Sequence, residues 1–305
     1  MKTRHHLVNL LKNLFSLKFS GKRSVIDRKR VHQEWYAPAK PTDRTTEPTV
    51  TWIGQATFLV QIDGINILTD PIFYDLSYIF PRLVPAGITP EQLPRIDVVL
   101  ISHDHRDHME KNSMRALLLH KPTILAPLGL GKRLSRWGFD KISEHNWNDK
   151  LSFATPSGKK IDFSFLPASH WAGCNLFNIN KSKFGSWMIE HDLHAIYFAG
   201  DSSYGKHFCE IGQQFESIQT ALMPISPIEP RHLVEHAHLD GKQAIQAFLD
   251  LNAQRFIPMH WGTFQFGTEQ YDEPIILLKK FWHKHGLDGL GKQLSVLKFG
   301  AAQRV

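Results

Sequence analysis

The chain has 305 residues, of which 42% are hydrophobic and 21% charged, a balance that suits a globular protein with a sizeable core and excludes a disordered one. Its two cysteines exclude a disulfide framework and a cysteine-rich metal site, and they favour a reducing, cytoplasmic setting. No run of about eighteen apolar residues is present, so we expect no membrane-spanning helix.

The first predicted element is a basic amphipathic helix near the N-terminus. Much of the net charge of +7 lies in the first thirty residues. Apolar residues at helical spacing interrupt these basic residues: Leu7, Leu10, Leu11, Leu14, Phe15 and Leu17. Such a helix, over Met1 to Lys22, suits an anionic membrane surface. Two other interpretations stay open, a helix that packs its leucines on the main domain and a solvated basic tail.

Prolines and polar residues around "YAPAKPTDRTTEPTV" indicate a linker, which divides the chain into an N-terminal segment, 1–45, and a main domain, 46–305. The stretches "TVTWIG", "ATFLVQIDG" and "INILTDP" predict three short strands, with a turn at Asp63 and Gly64. Helical spacing follows in "SMRALLLH" and "GKRLSRWGF", and more clearly in "DGKQAIQAFLDL". This alternation of strands and helices predicts an α/β domain.

Four apolar runs predict buried strands, and each run is followed directly by a histidine or an aspartate. The runs are "IDVVLIS", "IDFSFLPAS", "HAIYFAG" and "AQRFIPM", and the residues that follow them are His103, His170, Asp201 and His260. In layered α/β folds, the crevice outside the strand ends collects ligands and catalytic groups. We therefore expect the four strands to deliver metal-binding side chains to one edge.

The motif HDHRDH, from His103 to His108, supplies ligands for two metal ions. His103 and His105 with His170 would form a three-histidine site; Asp107 and His108 with His260 would form a second, and Asp201 could bridge both ions. Imidazole and carboxylate ligands without thiolates are typical of open, hydrolytic sites. Two ions about 3.5 to 4 Å apart can ionise a water and stabilise charge on attacking and leaving oxygens.

This pattern resembles the metallo-β-lactamase superfamily, through HxHxDH, His170, "AGD" at Asp201 and "MHWG" at His260. Within the superfamily, the chain is similar to N-acylphosphatidylethanolamine-hydrolysing phospholipases D. The stretches that carry this closer resemblance are "WIGQATFLVQIDGINILTDPIF", "ISHDHRDH", "PASHWAGCNLFNIN", "FGSWMIE", "YFAGDSSYG", "PISPIEPR" and "PMHWGTFQF". They cover roughly residues 50 to 270 in order.

The resemblance implies a four-layered αββα sandwich, the metallo-β-lactamase fold, and two zinc ions on the ligands given above. It also implies that Asp70 orients a ligand histidine from behind. His238 would face the phosphate of the substrate, although the neighbouring His236 competes for this role and the sequence does not decide between them. The helix start that the family carries after this histidine is replaced here by Gly241, Lys242 and Gln243.

The implied reaction is hydrolysis of N-acylphosphatidylethanolamine to phosphatidic acid and N-acylethanolamine, by a hydroxide held between the two ions. Either a metal-bound water or Asp107 would help to protonate the leaving group. The ligand set also accepts iron or manganese. The expected partner is a phospholipid, at the inner membrane face if the N-terminal helix binds there. Aromatic residues near the strand ends are candidates for an acyl channel: Trp171, Trp187, Trp261, Phe264 and Phe266. A homodimer is compatible with the sequence, which leaves the oligomeric state open.

Three other functions compete with the phospholipase. A soluble phosphoester or lactone hydrolase, similar to the ascorbate-6-phosphate lactonases, would keep the metal site and change the substrate. An RNA-processing nuclease of the same superfamily is disfavoured, because the basic excess lies in the N-terminal segment and no aromatic-interleaved basic patch is present, so we expect no nucleic-acid partner. A non-catalytic scaffold is disfavoured because no predicted ligand is missing.

Overall fold

The computed structural model describes residues 27–173 and 180–305, and they form two seven-stranded sheets with helices. The predicted helix over Met1 to Lys22 and the residue Cys174 lie outside the described residues. Within the described ranges, no helix is both long and apolar enough to cross a bilayer.

The first sheet contains the three predicted strands at the start of the main domain. Its strands are β1 (Thr49–Gly54), β2 (Thr57–Ile62), β3 (Ile65–Thr69), β4 (Val98–Leu100), β5 (Thr123–Pro127), β6 (Ile142–His145) and β14 (Ala302–Arg304), in the order β14-β1-β2-β3-β4-β5-β6. Pairing is antiparallel from β14 to β3 and parallel from β3 to β6. Asp63 and Gly64 form the predicted turn between β2 and β3, and both have the positive φ that a type I′ turn requires.

The second sheet contains three of the four strands that precede predicted ligands. Its strands are β7 (Lys150–Ala154), β8 (Lys160–Leu166), β9 (Ser186–His191), β10 (His194–Phe198), β11 (Thr220–Pro224), β12 (Arg255–Met259) and β13 (Gln293–Leu294), in the order β13-β12-β11-β10-β9-β8-β7. β8, β10 and β12 run in one direction, because β9 is antiparallel to both β8 and β10 and the sheet is parallel from β10 to β13.

Successive side chains along the strands of the first sheet point to opposite faces, so the sheet contributes to two hydrophobic clusters. Along β2, Phe58 and Val60 enter the core that also contains Phe163 and Ile196 of the second sheet, whereas Leu59 enters a separate cluster on the outer face. Because successive side chains point to opposite faces of a strand, a sheet covered on both faces has strands that are apolar throughout. This explains the unbroken apolar runs of the sequence.

Helices cover the outer face of each sheet. The helices of the described residues are α1 (Arg28–Trp35), α2 (Lys111–Arg115), α3 (Gly131–Arg136), α4 (His207–Gln214), α5 (Arg231–Val234), α6 (Gly241–Asp250) and α7 (Glu273–Lys284), with short 3-10 turns at Pro90–Gln92, Leu118–His120 and Leu287–Leu290. Met114 and Leu134 pack on the first sheet, and Phe248 and Trp282 on the second. The predicted αββα sandwich is therefore confirmed.

The helices near residues 113–120 and 131–139 are shorter than the sequence pattern indicates. The first ends at Arg115 and gives way to the 3-10 turn, and Lys121 then takes a left-handed conformation that stops it. The second ends at Arg136, one residue before Trp137. The third predicted helix, α6, begins as expected, with the side chain of Asp240 accepting a hydrogen bond from the Gln243 amide.

Residues before the predicted boundary at 46 also pack on the main domain. Val31 and Trp35 of α1 are buried, and the Trp35 ring contacts the Trp261 ring edge-on with 4.7 Å between centroids. The backbone of Ala37 donates a hydrogen bond to the Phe299 carbonyl. The division of the chain at residue 46 stays a prediction.

Candidate metal centre

The predicted ligands meet between the two sheets, at the ends of four strands. His103 follows β4 in the first sheet, while His170, Asp201 and His260 follow β8, β10 and β12 in the second. The ligands therefore come from the mouth between two facing sheets and not from one sheet edge, which corrects the simpler expectation from the sequence.

Gly200 allows this close approach of the two sheets. It adopts φ +58°, and a Cβ placed on it would lie 2.6 Å from the Cβ of Ser102, next to the HDHRDH motif. Only glycine combines this backbone conformation with this spacing at no steric cost. The approach brings Asp201 beside both groups of histidines.

The first group contains His103, His105, His170 and Asp201. His103 Nε2 lies 2.9 Å from His105 Nδ1, which lies 3.3 Å from His170 Nε2. Asp201 Oδ2 lies 3.9 Å from His103 Nε2 and 3.8 Å from His170 Nε2. One ligand atom from each residue therefore points at a common centre.

The second group contains Asp107, His108, His260 and again Asp201. His260 Nε2 lies 3.2 Å from each of Asp107 Oδ2, His108 Nε2 and Asp201 Oδ1. Asp201 Oδ2 lies 3.2 Å from His108 Nε2. Asp201 thus offers one carboxylate to both groups, as a bridging ligand would.

The far ring nitrogens of three of these histidines have partners that fix the ring orientations. His103 Nδ1 lies 2.9 Å from Ser102 Oγ, His108 Nδ1 lies 2.7 Å from Asp70 Oδ2, and His170 Nδ1 lies 2.9 Å from the Ala237 carbonyl. Metal-binding histidines in proteins usually have such partners, which set the tautomer.

The backbone of His260 is itself unusual, since a φ of +63° is rare outside glycine.

Asp70 belongs to the supporting layer of the centre. Its Oδ1 accepts the Ser102 amide at 2.7 Å, and its Oδ2 accepts both the Ser102 hydroxyl at 2.5 Å and His108 Nδ1. Although Asp70, His103 and His108 also place ligand atoms within 4.8 Å of one another, these hydrogen bonds already occupy the Asp70 oxygens. The position agrees with the orienting role implied by the resemblance.

The electrostatics of the cluster favour a bound cation. Burial lowers the pKa of His105 to about 4 and the pKa of His170 to about 3, so both rings are neutral ligands at pH 7. Although burial alone would raise the pKa of Asp201, His108 and His260 hold it well below its usual value. Against the effect of burial, Asp201 and Asp107 raise the pKa of His260 to about 9. The carboxylates of Asp201 and Asp107 thus favour nearby positive charge, which protons or metal ions can supply.

The chemistry of the donor set fits two metal ions. Nitrogens and carboxylate oxygens with lone pairs face one another, from 2.9 Å between His103 Nε2 and His105 Nδ1 to 3.9 Å between His103 Nε2 and Asp201 Oδ2. Such an arrangement is unfavourable unless a cation lies among the atoms. We propose that His103, His105, His170 and Asp201 hold one ion, and that Asp107, His108, His260 and Asp201 hold the other.

His238, and not His236, faces the cluster. Its Nδ1 is buried without a hydrogen-bond partner and lies 3.7 Å from Asp201 Oδ2. The His236 side chain is 70% exposed and lies 3.9 Å from Glu235. Burial lowers the pKa of His238 to about 3, so the ring is neutral.

The predicted aromatic residues divide into two sets. Trp187 and Trp261 are fully buried core residues, which excludes them from an open channel. Trp171 lies against the His105 ring at 3.9 Å, and Phe266 lies 6.0 Å from the His260 ring and 5.8 Å from Phe264, with distances measured between ring centroids.

Two residues of the centre were missed from the sequence, Ser102 and Gln55. Ser102 links Asp70 to His103, and Gln55 donates a side-chain hydrogen bond to Asp107 at 2.9 Å. Ser102 follows the wholly apolar strand β4, and that position is its sequence signal. Gln55 lies in the turn between β1 and β2, both of which contain polar residues, so no sequence signal distinguishes it.

We expect Asp70→Asn to weaken metal binding about 10- to 100-fold, because the new NH₂ group would face either the Ser102 amide or both the Ser102 hydroxyl and His108 Nδ1, all of which donate to Asp70. The buried mismatch should also cost about 1–3 kcal/mol of stability. Metal affinity measured against a competing chelator tests this expectation. Asp162→Asn is the control, because Asp162 pairs with Lys150 away from the centre. Equal affinity in Asp70→Asn and the native chain would contradict the supporting role.

Comparisons with known proteins agree with this geometry. The model of the β-lactamase superfamily domain matches residues 65–261. The chain is 32% identical over 237 residues to an uncharacterized protein of Mycobacterium tuberculosis, and the match covers 74% of this chain and 62% of that protein. It is also 32% identical over 244 residues to N-acyl-phosphatidylethanolamine-hydrolyzing phospholipase D 1 of Caenorhabditis elegans, with 75% of this chain and 68% of that protein covered.

Among solved structures, a metallo hydrolase from Ignicoccus hospitalis has the same fold. Its TM-score is 0.65 at 22% identity, and the alignment covers 85% of this chain and 98% of that one. The family match spans more than half of the 305 residues and contains all of the proposed metal ligands. The chain therefore belongs to the β-lactamase superfamily, and its relatives in that superfamily include metal-dependent hydrolases.

Proposed function

We propose that the chain is a two-metal hydrolase that cleaves N-acylphosphatidylethanolamine to phosphatidic acid and N-acylethanolamine. The observation that carries the proposal is the unpartnered, buried Nδ1 of His238 beside the shared Asp201. The name of the nematode relative supports the choice of substrate. Zinc is the metal that we propose, and iron or manganese would suit the same ligands.

Two bound divalent ions would supply an ionised water and neutralise charge on the phosphoryl oxygens. In the reaction, water adds to phosphorus, and the bond from phosphorus to the N-acylethanolamine oxygen breaks. The proton from water ends on that oxygen, so the two products account for every atom of lipid and water.

His238 is suited to bind a phosphoryl oxygen. A neutral imidazole carries one N–H, and in a water-poor site one such donor is worth about 10²- to 10³-fold in rate when it meets developing negative charge. The ring lies beside both metal groups, with centroids 5.3 Å from His170 and 5.5 Å from His260. We propose that it binds the equatorial oxygen of the reacting phosphate.

Asp107 is suited to move a proton. Its side chain is 16% exposed, whereas that of Asp201 is 1% exposed, so Asp107 lies nearer the opening of the site. We propose that the Asp107 carboxylate takes up the proton released by the attacking water and passes it to the departing alcohol oxygen.

An apolar rim beside the centre suits acyl chains. Phe266 contacts the ring of Phe80 at 5.6 Å and lies near His260 of the second metal group, whereas Trp171 contacts His105 of the first. We propose that these rings contact the lipid.

We also propose that the basic segment over Met1 to Lys22 contacts the anionic inner face of a membrane, and that the phospholipid is taken from there. Cosedimentation of the full chain with phosphatidylglycerol vesicles, before and after removal of this segment, tests that part. Binding that is unchanged by the removal would contradict it.

The reaction is tested by incubating the zinc-loaded chain with N-acylphosphatidylethanolamine in mixed micelles, followed by mass spectrometry of the products. Phosphatidic acid and N-acylethanolamine should form, and a chelator should abolish both. Diacylglycerol with phosphorylated N-acylethanolamine would show that the other phosphoester bond is cut. Turnover only of soluble phosphodiesters or lactones would replace the lipid with a soluble substrate.

A further inference from the structure

Gln55 joins three segments at the metal centre, namely the turn between β1 and β2, the loop that carries His260, and the HDHRDH motif. It occupies the turn between β1 and β2, is buried, and adopts φ +53°. Its backbone amide donates to Thr263 Oγ1 at 2.6 Å, and its carbonyl accepts the His260 amide and Trp52 Nε1, each at 3.0 Å. These backbone contacts join the first hairpin to the loop that carries His260.

The side chain of Gln55 contacts a different ligand. Its Nε2 donates to Asp107 Oδ2 at 2.9 Å. The same oxygen lies 3.3 Å from His108 Nε2 and 3.2 Å from His260 Nε2, so it is the oxygen that faces the second metal group. Because an ionised carboxylate only accepts hydrogen bonds, the NH₂ end of the amide must face Asp107.

A neutral donor is the appropriate group at this position. Asp107 is the most exposed ligand of its group, and a partly exposed carboxylate keeps rotamer freedom unless a neighbour restrains it. A lysine or arginine would restrain Asp107 but would add positive charge beside a metal ion. An amide restrains the carboxylate without adding charge.

We propose that Gln55 is a positioning residue of the second metal group, holding Asp107 Oδ2 toward the point that it shares with His108 and His260. This inference rests on the proposed metal centre and is independent of the lipid substrate. Because the backbone of Gln55 also holds the His260 loop, a side-chain substitution separates the two contributions.

The test is titration of the metal-free chain with Co²⁺ against a competing chelator, with the visible absorption bands of the bound ion as the readout. Gln55→Met keeps the side-chain length and removes the donor. We expect the first ion to bind as in the native chain, and the second ion to bind about 10- to 100-fold more weakly.

Gln61→Met is the matched control. Gln61 is also buried, and its Nε2 donates to the Thr42 carbonyl and to Asn66 Oδ1, away from the centre. Both ions should bind this variant as they bind the native chain. If both variants bind the second ion equally weakly, the loss of affinity would come from general destabilisation, and the proposal would be overturned.

Gln55→Leu provides a second variant if Gln55→Met does not fold, because leucine also removes the donor and adds no charge beside the metal group. Native affinity for the second ion in either Gln55 variant would overturn the proposal. If the native chain binds fewer than two ions, the proposal of a two-metal centre is itself contradicted. If it binds two ions without cleaving the lipid, only the substrate assignment fails.

Discussion

Asp201→Asn should lower hydrolytic activity by more than the roughly 10- to 100-fold that loss of a supporting contact to a metal ligand costs, because Asp201 is the one described residue that belongs to both metal groups. Its two oxygens lie 3.2 Å from His108 Nε2 and from His260 Nε2. Asparagine has one carbonyl oxygen and places an uncharged NH₂ among lone-pair nitrogens. The substitution therefore removes the negative charge that two adjacent cations require.

The measurement combines turnover of a chromogenic phosphodiester with metal content by mass spectrometry. We expect the metal content of Asp201→Asn to fall below the roughly two ions per chain of a binuclear site. Asp192→Asn is the control, because Asp192 lies at the other end of β10, exposed and paired with Lys159. Full metal content and near-native turnover in Asp201→Asn would rule out the bridging role.

Trp52→Ala should destabilise the chain by about 3–5 kcal/mol, the usual cost of removing a large buried aromatic side chain. Trp52 is fully buried and stacks on Phe299 and Trp261, at 4.3 and 5.5 Å between centroids. Its Nε1 also donates to the Gln55 carbonyl, which accepts the His260 amide as well. The loss should therefore loosen the metal centre as well as the core.

Denaturant unfolding at fixed metal concentration measures the change, and Trp147→Ala provides the comparison. The Trp147 side chain is partly exposed and donates to the Phe184 carbonyl at 2.6 Å, so its removal should cost about 1 kcal/mol. Similar midpoints for the two variants would show that the Trp52 cluster is not essential to the core.

The sequence predicted the ligand set because the motif is local. Four short apolar runs, each followed by His or Asp, could be recognised without knowing the fold, and the strands are where the runs indicate. The αββα layering followed from the resemblance, and the structure confirms it. Helix ends were less predictable. The helix that ends at Arg115 is followed only by a 3-10 turn, and that turn ends because Lys121 adopts a left-handed conformation.

The supporting residues could not be predicted, because they act across large separations in the chain. Gln55 meets Asp107 across 52 positions, and Ser102 meets Asp70 across 32. The sequence could not choose between His236 and His238, and it could not separate Trp171 and Phe266 beside the centre from Trp187 and Trp261 in the core. Each of these distinctions depends on which direction a side chain faces.

By itself, the sequence predicted which residues are candidate metal ligands and which strands precede them, since both depend on residue type and on spacing along one segment. Tertiary structure alone decided that β4 faces β8, β10 and β12 across two sheets, with Gly200 against Ser102 at the closest approach. That approach puts one carboxylate, Asp201, within reach of both metal groups. The physical reason is that packing joins segments distant in sequence, and no local pattern encodes the distance between them.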